Sequence, residues 1–143
     1  MDQSFHYLSM VNYALFQKKV LNKLMEIGLT PGQPKVLDYL SIHDGSIQKD
    51  IAGGCHIDPA TLTGILERME EKGLVERRVI KGNRRSSYVY LTNDGRENSK
   101  KVADVFREIE TEVFKGIHKE EIERFMNIFY QIFCNLSNTE GQE

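Results

Sequence analysis

Apolar residues recur at helical spacing along most of this chain, and the places where that spacing fails mark its turns and strands. Leu8, Val11, Leu15, Leu21 and Leu24 lie on related faces of a helix predicted over residues 5–27, with Gly28 as its stop. At about 1.5 Å per residue that helix spans roughly 34 Å, which is long for a small domain. Thr30 then caps a short helix, with Pro31 at its first position and Gln33 closing a capping box, and Val36, Leu37 and Leu40 form its core side. Pro34 falls where the first helical hydrogen bond would form and weakens this start. Ser46 caps the next short segment, in which Ile47, Ile51 and Ala52 point inward and Gly53-Gly54 makes the break.

The helix that follows is the most clearly marked. Ile57 stands before a capping Asp58, Pro59 suits the first helical position, and Leu62 can meet Ile57 as a hydrophobic staple. Leu62, Ile65, Leu66 and Met69 keep the helical period to Lys72, and Gly73 supplies the left-handed end. Residues 74–80 and 86–91 then change to β-branched and aromatic content around Lys81-Gly82-Asn83, which is turn chemistry. A helix restarts at Thr92 or Asp94, carries Val102, Val105, Phe106, Ile109 and Val113, and breaks near Gly116. The last helix has a wide apolar face: Ile122, Phe125, Met126, Phe129, Ile132, Phe133 and Leu136, with Ile128 and Tyr130 beside it. The predicted fold class is mainly α with a small β-hairpin wing (α+β): helix, turn, helix, hairpin at the centre and long helices at both ends.

At about 100° per residue, Ala60, Gly64 and Glu67 face directly away from the buried stripe of the helix after Asp58, flanked by Thr61, Thr63 and Arg68. A solvated helix ordinarily carries long charged residues there, and an interior Gly costs about 1 kcal/mol relative to Ala. A major groove about 12 Å wide just admits a helix, so small residues at its centre let flanking Thr and Arg reach base edges. From Arg77 to Arg85 the chain has five basic residues and no acidic one. A hairpin tip carrying Lys81, Arg84 and Arg85 suits a minor groove, and Arg78 adds charge at its base. Ser46, Gln48 and Lys49, near the start of the preceding helix, are placed to meet a phosphate.

Composition narrows the picture. A chain of 143 residues with 40% hydrophobic content builds one compact domain. No apolar run approaches membrane length and no leader pattern opens the chain, so neither a span nor a signal peptide is expected, and the expected location is cytoplasmic. The net charge of −2 argues against nucleic acid until it is divided: residues 46–91 hold eight basic and six acidic residues, whereas 92–143 hold seven and eleven. A local basic patch suffices for phosphate contacts. Cys55 and Cys134 form no paired motif, and His6, His43, His56 and His118 show no metal spacing, so no disulfide, metal or cofactor is expected. With no phosphate loop, nucleophile elbow or His-Glu-x-x-His helix, neither is an enzyme.

Leu29-Thr30, the helix pair across 46–72, Gly73-Leu74-Val75-Glu76-Arg77, Asn83-Arg84-Arg85 and Leu91-Thr92-x-x-Gly95-Arg96 together resemble the MarR family of bacterial transcriptional regulators. The resemblance covers nearly the whole chain. It implies a winged helix-turn-helix over 30–91 and homodimerisation through helices in 1–28 and 92–143. It also implies a pseudo-palindromic operator on double-stranded DNA with half-sites roughly 10 base pairs apart, and usually repression. Carried over by position, Thr61, Thr63, Gly64 and Arg68 become base-side contacts, and Arg85 becomes the wing arginine. Asn83 replaces the aspartate that usually braces that arginine, and His118 stands where a Ser-like cap commonly begins the last helix.

Family members often release DNA when a small aromatic or hydrophobic effector binds, and Tyr13, Phe16, Tyr39 and His43 are the candidate pocket. Others sense peroxide through a cysteine in the first helix. This chain has none there, and Cys55 reads as a small buried thiol. The excess apolar surface of the first and last two helices agrees with a homodimer. The alternative from another class is a winged-helix protein-interaction module without DNA binding, which the net negative charge and Gly64 would suit.

Overall fold

The computed structural model describes residues 2–79 and 87–137. In chain order it contains α1 (Phe5–Leu24), a single 3₁₀ turn (Met25–Ile27), α2 (Gln33–Ile42), β1 (Ser46–Ile47), α3 (Gln48–Cys55), α4 (Pro59–Glu71), β2 (Val75–Val79), β3 (Ser87–Leu91), α5 (Asn93–Val113) and α6 (Lys119–Ser137). The chain divides into two compact units, residues 1–109 and 110–143. The mainly α architecture with a small sheet is as expected.

In the first unit, the predicted long helix ends where expected, on Gly28 in the left-handed region. Its successor starts later than the capping-box pattern implies. Residues 30–33 form a turn closed by the Gln33 amide donating to the Thr30 carbonyl (3.1 Å), and the helix cap is Gly32 at φ 87°. Half of the expected box survives, because Gln33 Oε1 accepts from the Thr30 amide at 3.1 Å. Pro34 does not weaken the start: within the first two positions of α2 its missing N–H has no intrahelical carbonyl to reach.

Two further expectations are corrected. Ser46 is not a helix cap. It lies in a two-residue strand paired with Val89, its hydroxyl donates to the His43 carbonyl at 2.6 Å, and Ile47 takes the cap position of α3. Gly53-Gly54 does not break the helix either. The helix runs through both to Cys55 and ends on His56, a non-glycine residue with positive φ (51°), where the Ile57 amide donates back to the Ala52 carbonyl at 3.0 Å. Gly54 serves packing instead: a Cβ there would lie 2.2 Å from the Tyr39 ring.

α4 follows its sequence signals closely. Asp58 Oδ2 accepts from the Ala60 and Thr61 amides at 3.1 and 3.3 Å, a cap that contributes about 1 kcal/mol. Leu62, Ile65, Leu66 and Met69 are buried on one stripe. They join Leu24, Leu37, Leu40, Ile51, Val89, Val102 and Ile109 in one core, and each such side chain contributes about 1.5–3 kcal/mol of transfer free energy. The sheet is antiparallel in the order β1-β3-β2, with Val75 opposite Leu91, Arg77 opposite Val89 and Val79 opposite Ser87. β1 adds a strand that two residues could not announce by alternation.

The cap of α5 is Thr92. Its hydroxyl accepts from the Gly95 amide at 3.0 Å and donates to the Gly73 carbonyl at 2.6 Å, so the helix is anchored to the loop that ends α4.

The second unit holds the end of α5 and all of α6. Gly116 turns the chain at φ 80°, and the His118 carbonyl accepts the first helical bond from the Ile122 amide at 3.0 Å. His118 therefore takes the cap position. Phe125 stacks on Phe129 with ring centroids 5.2 Å apart and meets Phe114 edge-on. No residue of α6 is buried within the single chain, and Phe129 and Leu136 remain 51% and 74% exposed. No helix among the described residues is long and apolar enough to cross a membrane.

Candidate nucleic-acid interface

α3 and α4 form the helix pair, and the outward side of α4 is built as its sequence implies. Ala60, Thr61, Thr63, Glu67 and Arg68 are exposed and Gly64 half-exposed, while the opposite stripe is buried. Arg68 folds back over Gly64, its Nη1 lying 3.5 Å from where a Cβ would stand. The glycine thus leaves a flat bed under a guanidinium. A Gly64→Ala variant is expected to melt higher, by about 3 °C for a helix-propensity gain near 1 kcal/mol, because 3.5 Å is an ordinary contact. If α4 enters a groove at this point, the same variant binds DNA less well. Thermal denaturation and an operator titration on one preparation separate the two effects.

Gln48 occupies the first position of α3, but its amide is turned inward. Its Nε2 donates to Thr63 Oγ1 at 2.7 Å and its Oε1 accepts from Arg77 Nη1 at 3.2 Å. Arg77 also pairs through Nε with Glu70. Gln48, Thr63, Arg77 and Glu70 thus join α3, α4 and β2. No local pattern in the sequence singles out Arg77, since its partner Gln48 is 29 positions away.

Alternation along β2 puts Arg78 on the other face of the sheet from Arg77. There it is exposed, pairs with Glu76 Oε1 at 2.5 Å and lies over the Tyr90 ring at 4.2 Å. The structure therefore does not bring Arg78 to the side of the sheet that meets α4. Lys49 is exposed on the first turn of α3, and Ser46 is held in β1. Lys81, Arg84 and Arg85, with Gly82 and Asn83, lie outside the described residues.

The candidate pocket residues fall into separate packing contacts. Phe16 of α1 stacks on Phe106 of α5 at 6.2 Å, whereas Tyr39 of α2 tilts against His43, the residue that caps that helix, at 4.7 Å. Phe16 and Tyr39 are half-buried against the core, His43 is exposed, and Tyr13 is 59% exposed with its hydroxyl accepting from Gln17 at 3.0 Å. Cys55 is buried, its Sγ 3.6 Å from the Lys35 carbonyl, and burial pushes its thiol up, with Asp38 adding to the rise and Lys35 opposing it. That environment disfavours a reactive thiolate. Among the described residues no group of three His, Cys, Asp or Glu side chains is placed to hold a metal ion.

A helix pair followed by a β-hairpin packed on its second helix, with a third short strand from the loop before the pair, is a winged helix-turn-helix. The family model described as MarR family matches residues 29–87. The HTH-type transcriptional regulator YdgJ of Bacillus subtilis is 28% identical over 136 residues, covering 89% of this chain and 81% of that protein. The HTH-type transcriptional repressor IacR of Pseudomonas putida is 27% identical over 135 residues, covering 94% and 80%. Among solved structures, the Staphylococcus aureus MepR–DNA complex superposes with a TM-score of 0.85 at 24% identity, covering 94% of this chain and 99% of that one. Residues 29–87 are thus similar to the MarR family's domain, and the superposed structure shows the same winged helix-turn-helix fold over nearly the whole chain.

Proposed function

We propose that this protein is a homodimeric, sequence-specific repressor that binds a pseudo-palindromic operator and releases it when a small aromatic or hydrophobic molecule binds. The observation that carries the reading is the outward face of α4, where Gly64 and small or hydroxyl-bearing neighbours stand opposite a fully buried stripe. Such a face suits close approach to base edges, with Thr61, Thr63 and Arg68 reading sequence and Lys49 and the wing supplying phosphate affinity. The names of IacR, a repressor, and of the MepR–DNA complex support the same reading. Dimerisation is supported by the apolar face that α6 leaves uncovered in a single chain. An effector would be received beside the half-buried rings of Phe16 and Tyr39, with Tyr13 and His43 nearer solvent. The protein would work where the DNA is, in the cytoplasm.

The test is a fluorescence-anisotropy titration with a duplex from upstream of the protein's own gene and a scrambled duplex, each at two salt concentrations. Wild-type protein is expected to prefer the upstream duplex and to weaken as salt rises. Arg84→Ala with Arg85→Ala should weaken binding to both duplexes and flatten the plot of log affinity against log salt by about two phosphate contacts' worth. An unchanged slope would remove the wing from the mechanism. Absence of any binding at low salt would favour a protein-interaction module.

A further inference from the structure

Most charges on α4 and β2 are engaged within the protein. Glu70 pairs with Arg77 and Glu76 with Arg78, and Lys72 Nζ donates to the Gly28 carbonyl at 2.6 Å and to Gln33 Oε1 at 3.3 Å. Glu67 and Arg68 differ. Both are exposed, and among the described residues neither side chain forms a hydrogen bond or an ion pair. The residues one turn from Glu67 are Thr63, Gly64, Glu70 and Glu71, so no cation stands at pairing distance along the helix. On the outward line of a helix in a major groove, such a carboxylate is repelled by the phosphates on either side. It weakens every complex in which no base-edge donor meets it. Arg68 reaches back to the same line, with Nη1 3.5 Å and Nη2 4.0 Å from where a Gly64 Cβ would stand. Gly64 therefore has an acceptor-only carboxylate one turn after it and a donor-only guanidinium at its surface.

We infer that Glu67 and Arg68 together read one C·G pair in each half-site, Glu67 accepting from the cytosine N4 amino group and Arg68 donating to guanine O6 and N7. This rests on the DNA-reading role proposed above for α4. Across the major groove a C·G pair shows one donor, then two acceptors, and no methyl. That order matches a carboxylate beside a guanidinium. The reversed pair places guanine acceptors under Glu67 and the cytosine amino group under Arg68, so both contacts become repulsive. With thymine under Glu67, O4 faces the carboxylate as a second acceptor and the methyl crowds it. With adenine there, the amino group suits Glu67, but N7 lies next to it and only thymine O4 remains for Arg68. Glu67 thus lowers affinity for every duplex and lowers it least where cytosine lies beneath it. Gly64 leaves room for the guanidinium to approach that same pair.

The test substitutes every base pair of the upstream duplex in turn and measures the affinities of wild type, Glu67→Gln and Arg68→Lys, with thermal denaturation of each. Both side chains are exposed and both replacements have similar helix propensity, so the fold should be unchanged. Glu67→Gln removes the negative charge, and its amide can donate as well as accept. It should bind the scrambled duplex severalfold more tightly than wild type does, while its preference for C·G falls about tenfold at one pair and the symmetry mate of that pair. Arg68→Lys keeps the charge and loses the planar fork, so preference should fall about tenfold at that same pair. A lysine on a phosphate would instead leave every preference unchanged. The inference is overturned, with the DNA-reading role intact, if the two variants change preference at different pairs or if wild type favours anything but C·G at the shared one. A gain in Glu67→Gln that is equal for all duplexes overturns it too, because the carboxylate then faces only phosphate. If wild-type protein distinguishes no duplex from another, the role itself fails and the inference falls with it.

Discussion

A Phe129→Glu protein is expected to sediment as a monomer and to bind operator DNA at least about a hundredfold more weakly than wild type, because the second half-site is then no longer held by the first. Phe129 stacks on Phe125 in the middle of α6, and Met126, Tyr130, Phe133 and Leu136 around it are also exposed in the single chain. A carboxylate placed there must be desolvated against apolar side chains whenever two such faces meet, a cost of several kcal/mol that an ordinary interface cannot absorb. The core of residues 1–109 is assembled without Phe129, so the reading head should stay folded. Its non-specific, salt-dependent affinity should survive while operator preference collapses. Sedimentation velocity with an anisotropy titration checks both halves, and a variant that remains dimeric removes this face of α6 from the interface.

What could be read from the sequence follows the range of the interactions involved. The cap, first-turn proline and buried stripe of α4 lie within 12 positions of one another, and α4 matches them from Asp58 to Met69. Gly28, Gly73 and Gly116 end or turn segments where local spacing predicts, each at positive φ. A local pattern misleads where a distant partner claims the residue. Gly53-Gly54 looks like a helix stop, but Gly54 is small because Tyr39 packs on it from another helix. Ser46 looks like a cap because the strand that claims it is Val89, more than 40 positions away.

The site shows the same division. Thr61, Thr63, Gly64 and Arg68 could be placed on one face by counting residues, whereas the role of Gln48 depends on partners 15 and 29 positions away. Alternation would have placed Arg77 and Arg78 on opposite faces, but only the packing of α4 on one of them shows which arginine braces the helix pair. A charge count treats the two alike.

Gly95→Ala is expected to cost roughly 2–3 kcal/mol of folding stability, the upper part of the range for overpacking, and to lower the melting temperature by roughly 6–12 °C. The same substitution at Gly64 is expected to stabilise, so the sign depends on what a methyl meets. At Gly95 a Cβ would stand 2.0 Å from the Leu74 carbonyl oxygen and 3.2 Å from Leu91 Cδ2. The backbone cannot easily retreat. The Leu74 carbonyl accepts from the Thr92 amide at 3.1 Å, and Thr92 is fixed by its bonds to the Gly95 amide and the Gly73 carbonyl. Relief of the clash must therefore break the cap of α5, the end of α4 or the first pairing of β2 with β3, all of which anchor the wing to the core. Against that cost of roughly 2–3 kcal/mol, the gain of about 1 kcal/mol in helix propensity does not compensate. Denaturant melts of Gly95→Ala and Gly64→Ala should shift in opposite directions from wild type, and a Gly95→Ala midpoint at or above wild type would show that the first turn of α5 is not clamped to Leu74.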